Sequence, residues 1–477
     1  MNETTCIRHI DFLIAADAAG HHYLRDADLA FADGAITFVG RHYDGPVTTE
    51  VDGRHMMVMP GMVNIHCHPS STFELKGIRD ELSSPKMFGT VLFEYTGVVS
   101  MDDEYRVAGL QASLAELLKS GCTTVVDFEF PFDGWLDTLA DSGIRAYAGA
   151  TFQSASFRTS NGHETRYDWD EESGRQQFRQ AIAAVDAAER HESGRLKGMI
   201  CPGQADSVTE ELIRETVAAA ADRNMPVQVH AGQSIVEFAE MMRRHGKSPV
   251  QWLNDLGFLR PGSILAHCLF TDDNPRLFWP EKRDIGILAE TGATIAHCPV
   301  VQARAGRVLH SFSSHRKRGV NIGVGIDANP LNMVDEVRNV AQMGCVADGY
   351  RGDATVADAF SAATLGGAKA LQRDDLGRIA VGARADLVLV DLTHPLMQPR
   401  RDPLRTLVFS ALERPIRHVY VDGRQVVRDG EVTAFDHGAA AAKMNAGQEQ
   451  VLARVAQRHW SGGSGDQVFP RALATRQ

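Results

Sequence analysis

The stretch Pro60-Gly61-Met62-Val63-Asn64-Ile65-His66-Cys67-His68-Pro69 sets the interpretation of the whole chain. It is a short apolar run that ends in two histidines, His66 and His68, followed directly by a proline. Side chains two residues apart on a β-strand point to the same face. The stretch therefore predicts a buried strand with two imidazoles on one side of its carboxyl end.

Seven further apolar runs follow along the chain, and amphipathic stretches separate them. Short apolar runs that alternate with helical patterns are typical of parallel strands connected by helices. Eight such strands predict an α/β fold, a (β/α)8 barrel of the TIM type. The runs are 62–65, 123–128, 144–150, 196–201, 225–229, 263–266, 293–296 and 321–326, and the clearest predicted helices are 105–119, 209–223, 249–256 and 356–369.

Both ends of the chain carry a different pattern, in which short strands are separated by turns such as Asp33-Gly34 and Asp422-Gly423. Asp-Gly pairs between apolar runs indicate β-hairpins. We therefore expect residues 1–59 and 380–477 to form one small β-sandwich domain that includes a C-terminal helix near 440–458. Residues 60–379 are expected to form the barrel.

Groups that can bind a metal stand at the ends of five predicted strands. They are His66 and His68 after the first, His230 after the fifth, His267 after the sixth, His297 after the seventh and Asp327 after the eighth. Because the carboxyl ends of barrel strands meet at one mouth, we expect these groups to lie together. The histidines of strands one and five and the aspartate of strand eight offer three nitrogens and one carboxylate oxygen. Such a set suits zinc or ferrous iron and leaves a position for water.

The opening stretch resembles the first-strand signature of the amidohydrolase superfamily, in the branch of cytosine and guanine deaminases and triazine hydrolases. Molinate and phenylurea hydrolases belong to the same broad superfamily. The resemblance covers roughly residues 10 to 430 and continues in order through Ser120-Gly121-Cys122-Thr123-Thr124, Leu265-Ala266-His267-Cys268, Ala296-His297-Cys298-Pro299, Gly323-Val324-Gly325-Ile326-Asp327, Leu376-Gly377-Arg378-Ile379 and Gly382-Ala383-Arg384-Ala385-Asp386-Leu387.

The resemblance implies one divalent ion bound by His66, His68, His230 and Asp327. It also implies that Asp327 accepts a proton from water at the ion, and that His267 contacts this water or the developing oxyanion. The lysine that bridges two ions in other branches is not found at the end of the fourth run, since Lys197 stands at its start. We therefore expect a single ion, zinc in the first place, with ferrous iron or manganese as alternatives.

One position departs from the deaminase pattern, in which a glutamate follows three residues after the histidine of strand five. Here that position is Gln233, in His230-Ala231-Gly232-Gln233. A glutamine side chain can donate and accept hydrogen bonds, but it cannot deliver a proton to a ring nitrogen. Either ring deamination is impaired, or Gln233 is a neutral replacement, or Glu237 serves as the acid instead.

The missing acid favours substrates that already contain a carbonyl group. The first functional prediction is thus metal-dependent hydrolysis of a C–N bond in a urea, carbamate, thiocarbamate or amide. The alternative is an aminohydrolase or dechlorinase that acts on a nitrogen heterocycle such as a triazine, pyrimidine or purine. In both cases the enzyme is a hydrolase that acts on carbon–nitrogen bonds other than peptide bonds, or on a comparable ring substituent.

Several residues are candidates for substrate binding. Gln233 and His297 follow predicted strands, and Gln302 and Arg304 stand where family members continue His-Cys-Pro into a Ser-Asn pair. The loop over residues 80–95, with Phe88, Phe93 and Tyr95, is expected to select substrate, because barrel loops generally carry binding groups.

Composition sets the broad class of the protein. The 477 residues carry a formal net charge of −12 and seven scattered cysteines. This charge gives no general attraction to nucleic acid or to anionic lipid, and the cysteine spacing gives no disulfide framework. No apolar stretch is long enough to span a membrane. We expect a cytoplasmic enzyme with a small-molecule substrate, no nucleic-acid or membrane partner, and a homo-oligomeric state.

Overall fold

The computed structural model describes residues 3–71, 73–78, 95, 97–161, 164–349 and 354–475. Phe88 and Phe93 of the predicted substrate loop lie outside the described residues. Tyr95 lies inside them and is buried, with its ring 5.1 Å from that of Phe469. It therefore belongs to a small core cluster beneath the C-terminal segment.

Eight parallel strands form the central sheet, and each pairs with the next along the chain. The sheet closes into a barrel where the last strand meets the first, since the amides of Ile326 and Asp327 both donate to the carbonyl of His66 at 2.9 Å. The predicted (β/α)8 barrel is confirmed. Its strands are β6 (Met62–Cys67), β7 (Cys122–Glu129), β8 (Arg145–Phe152), β11 (Leu196–Pro202), β12 (Val227–Ala231), β13 (Ser263–His267), β14 (Thr294–His297) and β15 (Asn321–Val324).

These strands are rich in apolar and β-branched residues, which suits strands buried on both faces. Every residue of β7 and β8 is buried, as expected for strands that face the barrel interior on one side and helices on the other. The helices are α1 (Asp103–Lys119), α2 (Trp135–Asp141), α3 (Glu171–Glu189), α4 (Glu210–Arg223), α5 (Ile235–His245), α6 (Pro249–Asp255), α7 (Asp284–Thr291), α8 (Pro299–Arg304), α9 (Phe312–Lys317), α10 (Met333–Ala347), α11 (Val356–Ser361), α12 (Gly367–Ala370), α13 (Pro403–Thr406), α14 (His437–Arg458) and α15 (Gly465–Val468).

The helix predicted over 356–369 is interrupted in the structure by a π-helical turn, Ala362–Gly366, between α11 and α12. The cause is close packing on the barrel backbone. A Cβ at Gly366 would lie 2.5 Å from the carbonyl oxygen of Ile322, and one at Gly367 would lie 2.8 Å from that of Val63. The local widening of the helix therefore coincides with the closest approach of the segment to the sheet.

The two ends of the chain build a second sheet of nine strands. β16 pairs antiparallel with β5, which joins the C-terminal part to the N-terminal part. This confirms the small β-sandwich made from both termini, while the exact boundaries at 59/60 and 379/380 stay a prediction. Its strands are β1 (Thr4–Asp17), β2 (Gly20–Ala32), β3 (Ala35–Gly40), β4 (Thr49–Asp52), β5 (Met56–Pro60), β16 (Leu387–Asp391), β17 (Ile416–Val421), β18 (Arg424–Arg428) and β19 (Glu431–Val432).

Two elements lie outside this simple plan. A two-stranded hairpin, β9 (Ala155–Asn161) and β10 (Glu164–Trp169), follows barrel strand β8 and was not predicted. The C-terminal helix α14 packs its buried face against α1, and the Arg454 guanidinium pairs with Asp102 just before α1. Within the described residues, no helix is both long and apolar enough to cross a membrane.

Candidate active site

The four predicted metal ligands meet at the carboxyl ends of the barrel strands. His66 is the penultimate residue of β6, His68 directly follows β6, His230 lies in β12, and Asp327 comes three residues after β15. One ligand atom from each lies within 4.8 Å of the others. Barrel closure explains this proximity, because Asp327 is held beside the first strand by its own backbone bonds to His66 and His68.

Backbone carbonyls set the tautomers of two of these histidines. The Nδ1 of His68 lies 2.7 Å from the carbonyl oxygen of Phe128, and that of His230 lies 2.6 Å from the carbonyl oxygen of Gly203. A carbonyl oxygen only accepts, so each Nδ1 carries the proton and donates it. In the neutral ring that metal binding requires, each Nε2 therefore presents a lone pair to the site.

A buried glutamine does the same for His66. The Oε1 of Gln228 lies 2.6 Å from the His66 Nδ1, and its Nε2 donates to the carbonyl of Ile65 at 2.6 Å. That carbonyl fixes the orientation of the amide, so Oε1 accepts from Nδ1 of the imidazole. Outer-shell partners of this kind orient metal-binding histidines.

The inward-facing nitrogens fit a cation. The Nε2 atoms of His68 and His230 are 3.2 Å apart, yet both are lone-pair acceptors and cannot bond to each other. The Nε2 of His66 is buried with no hydrogen-bond partner among the described residues. Three imidazole lone pairs and a carboxylate converging on one point form a donor set that suits a zinc-like divalent ion.

The carboxylate of Asp327 has the electrostatic setting expected of a ligand. Its Oδ1 lies 3.3 Å from the His66 Nε2 and 3.4 Å from the His68 Nε2. Burial alone raises the pKa of Asp327, but His267, His66 and His68 hold it well below its usual range. Burial lowers the pKa of His230, which keeps this imidazole neutral as metal binding requires.

Two site residues have strained backbones. Asp327 has a φ of 65° and His267 a φ of 79°, both in the left-handed region that side-chain-bearing residues rarely adopt. Each comes at or just after a strand end, where the chain must turn away from the barrel. Such strain concentrates at functional sites, where the surrounding structure holds it in place.

His267 is positioned by Gln302, one of the predicted substrate-binding residues. The Gln302 Nε2 lies 3.0 Å from the His267 Nδ1, and both side chains are buried. A donor at that distance places the His267 proton on Nε2, which lies 4.0 Å from the Asp327 carboxylate and has no hydrogen-bond partner within the described structure. Burial lowers the pKa of His267 to about 3, so the ring donates as a neutral imidazole.

Replacing Gln302 with methionine is expected to lower kcat about ten-fold with little change in KM, because outer-shell partners typically contribute at this level. The substitution conserves volume but removes the donor that sets the His267 tautomer. Steady-state kinetics on the best substrate measures the change. The exposed Gln372, which donates to the Pro261 carbonyl, provides the control Gln372→Met. A shift in KM alone for Gln302→Met would indicate direct substrate contact instead.

Gln233 and Glu237 have different surroundings. The Gln233 Oε1 is buried and has no hydrogen-bond partner among the described residues. Both oxygens of Glu237 accept backbone bonds, from Gly232 and Gln233 at 2.8 Å each. Burial raises the pKa of Glu237 well above its usual range. Glu237 thus holds the loop after β12 together, whereas Gln233 has an amide oxygen without a partner.

The two remaining predicted substrate-binding residues, His297 and Arg304, are not among the four residues of the ligand cluster. The ring of His297 lies 6.1 Å from that of Phe312, and the charge of nearby His315 adds to the effect of burial in lowering the His297 pKa to about 3. The charge of Arg304 acts on the buried Glu336 of α10. Their roles in substrate binding stay predictions.

Sequence reasoning missed several groups beside the site. Gln228 stands two residues before His230 on the same strand, so the two-residue period could have indicated it. Asp127 is buried at the end of β7, where it accepts from Ser70 at 2.6 Å and Trp135 at 2.8 Å, and burial raises its pKa to about 7. Arg307 lies beyond α8, where no periodic pattern marks it.

Known proteins share this architecture and sequence. The model of the amidohydrolase family matches residues 57–426. A 5-methylthioadenosine/S-adenosylhomocysteine deaminase of Halobacterium salinarum is 30% identical over 427 residues, which cover 88% of this chain and 93% of that protein.

Two solved structures resemble the whole chain. An adenosine deaminase of Xanthomonas campestris with bound zinc has a TM-score of 0.79 and 23% identity, over 94% of this chain and 98% of that one. An atrazine chlorohydrolase of Arthrobacter aurescens complexed with zinc has a TM-score of 0.77 and 21% identity, over 93% of this chain and the whole of that one. At these sequence identities, the two structures show a shared fold and nothing further.

Proposed function

This chain belongs to the amidohydrolase family, and on that premise we propose that it hydrolytically deaminates an aminated nitrogen heterocycle of the adenine or pyrimidine kind. The convergence of three Nε2 lone pairs and one carboxylate within 4.8 Å supports metal-dependent hydrolysis, and the similarity to a deaminase supports the choice of substrate. The ion would be a single zinc. Its ligands would be His66, His68, His230 and Asp327.

The comparisons favour the alternative drawn from the sequence over its first choice. The relative at 30% identity is named as a 5-methylthioadenosine/S-adenosylhomocysteine deaminase, not as a hydrolase of ureas or carbamates. The first choice gave most weight to one position, Gln233. A single missing acid is weak grounds for changing the substrate class, because a hydrogen bond can still assist the ring nitrogen and the leaving group can receive its proton by another route.

The site residues can supply that route. A divalent ion at this cluster would supply the acidity that makes water nucleophilic at neutral pH. Asp327, held ionised, accepts the proton of the attacking water and passes it to the departing amino group. Oxygen bonds to the ring carbon, the C–N bond breaks and ammonia leaves, so the proton taken up by Asp327 ends on the ammonia.

His267 and Gln233 act on the substrate in this proposal. The Nε2–H of His267 donates to the oxygen or charge that develops at the attacked carbon, as a preorganised donor in a buried site. Gln233 offers its amide to a ring nitrogen as a hydrogen bond without proton transfer. This arrangement activates the ring less than a carboxylic acid does, so the slower step is expected to be attack on the ring.

A mass-spectrometric product screen tests the function. Zinc-loaded protein is incubated with adenosine, 5-methylthioadenosine, aminated pyrimidines and triazines, N-aryl ureas and carbamates. We expect an amino group to be exchanged for oxygen on an intact ring, with activity lost after chelation and restored by zinc. Cleavage of a urea or carbamate into an amine and a carbonyl fragment, with no heterocycle converted, would overturn the proposal.

A further inference from the structure

Arg307 lies within electrostatic range of Asp327 and has no counter-ion among the described residues. Arg307 lies three residues beyond α8, and its amide donates to the Gln302 carbonyl at 2.9 Å. Its Nη1 donates to the carbonyl of Gln233 at 3.3 Å. The segment after β14 therefore brings the Gln302 side chain to His267 and the Arg307 side chain to the loop that follows His230.

The guanidinium charge acts on the site itself. Burial lowers the pKa of Arg307, and the Asp327 carboxylate opposes that effect. In turn, burial is the largest cause of the lowered pKa of His267, and the charge of Arg307 is one of the smaller causes. Together with the hydrogen bond to the Gln233 carbonyl, these effects show that the positive charge lies within electrostatic range of Asp327 and His267.

Most of the donors on this guanidinium are unused. Nε is buried and has no hydrogen-bond partner, and among the described residues no carboxylate pairs with Arg307 and no acceptor engages Nη2. Arg145, by contrast, is buried against Asp386 at 3.1 Å and Asp422 at 3.2 Å. Buried charges in proteins are normally paired, because desolvation without a partner is costly.

We propose that Arg307 binds an anionic oxygen of the substrate, a carboxylate carried on the heterocycle near the amino group that is removed. The free Nε and Nη2 form the side-on fork that accepts both oxygens of a carboxylate. The inference rests on the proposed function for the identity of the ring, but the anion site follows from the unpaired guanidinium. It makes the preferred substrates aminated heterocyclic carboxylates.

Binding of a matched probe pair tests this site without turnover. Nicotinate and nicotinamide have the same ring, but nicotinate carries a carboxylate where nicotinamide carries a neutral amide. Calorimetric titration of the zinc-loaded protein is expected to show nicotinate binding at least about ten-fold more tightly, as a charge-assisted hydrogen bond typically contributes. Arg307→Met should abolish the preference, and Arg307→Lys should keep part of it. The control is Arg276→Met, an exposed arginine that donates to Gly306 of the same turn and should keep the full preference.

Three results would overturn the inference. The first is equal binding of the two probes to the wild type. The second is a preference for nicotinate that survives in Arg307→Met, which would mean that the carboxylate binds the metal. The third is loss of the preference in Arg276→Met. The kinetic counterpart is a comparison of cytosine with cytosine-5-carboxylate. Arg307→Met should raise KM for cytosine-5-carboxylate about ten-fold more than it raises KM for cytosine.

The two proposals fail separately. Deamination of neutral heterocycles without any effect of Arg307 would keep the proposed function and remove the anion site. An Arg307-dependent preference for nicotinate, in a protein that deaminates no heterocycle, would keep the anion site and remove the proposed function.

Discussion

Replacing Asp327 with asparagine is expected to lower kcat by a factor of about 10³, because the amide cannot accept the proton of the attacking water. The geometry makes this the most sensitive position. The Asp327 Oδ1 lies within 3.4 Å of two predicted ligand nitrogens and 4.0 Å from the His267 Nε2. No other carboxylate among the described residues joins the convergent cluster.

Metal content separates the two roles of this residue. Bound zinc is measured by elemental mass spectrometry in parallel with kcat. Asp429→Asn serves as the control, because Asp429 is exposed and its carboxylate pairs with Arg417 at 3.0 Å. A variant that keeps one zinc per chain and loses turnover supports the proton-transfer role. Turnover within ten-fold of wild type at full zinc occupancy would contradict it.

Gln233→Glu is expected to raise the rate of heterocycle deamination by about 10²-fold, as a positioned general acid typically contributes. The Gln233 Oε1 is already buried without a partner, so a carboxyl group there would be desolvated and its pKa raised. A carboxyl group protonated at neutral pH can deliver the proton to the ring nitrogen that the amide cannot.

The comparison variant is Gln233→Met, which keeps the bulk of the side chain and removes both the donor and the acid. Initial rates on the best heterocycle from the product screen, taken across pH, decide the outcome. The glutamate variant should gain activity that falls again as pH rises through the raised pKa, because only the protonated acid is effective. If glutamate lowers the rate as much as methionine does, the glutamine is itself tuned to this substrate.

Most of the barrel could be predicted because its signals are local. Eight apolar runs, each a few residues long, mark strands buried on both faces, and the residue that ends each run needs only the chain direction to be placed at the mouth. His66 and His68 share a face by the two-residue period alone. The interruption at Ala362–Gly366 could not be anticipated, because it depends on how closely Gly366 and Gly367 approach Ile322 and Val63.

The hairpin of β9 and β10 shows a different limit. Its residues alternate between half-buried and exposed, so the apolar signal is weak even though the two-residue period is present. Gln302 illustrates the same limit in the site. Gln302 departs from the family's Ser-Asn pair, and the sequence therefore suggested that it contacts the substrate. In the fold, its side chain contacts His267.

By itself, the sequence determined the fold class, the two-part construction from both termini, and the order in which four candidate ligands arrive along the chain. Those features depend on residue type and short-range period. Only the tertiary structure decided which nitrogen of each imidazole faces inward, that Glu237 is engaged by its own loop, and that Arg307, within electrostatic range of Asp327, has no carboxylate partner among the described residues. Those features depend on atoms brought together from strands far apart in the chain, because hydrogen bonding and electrostatics act over a few ångströms in space and leave no periodic trace in the sequence.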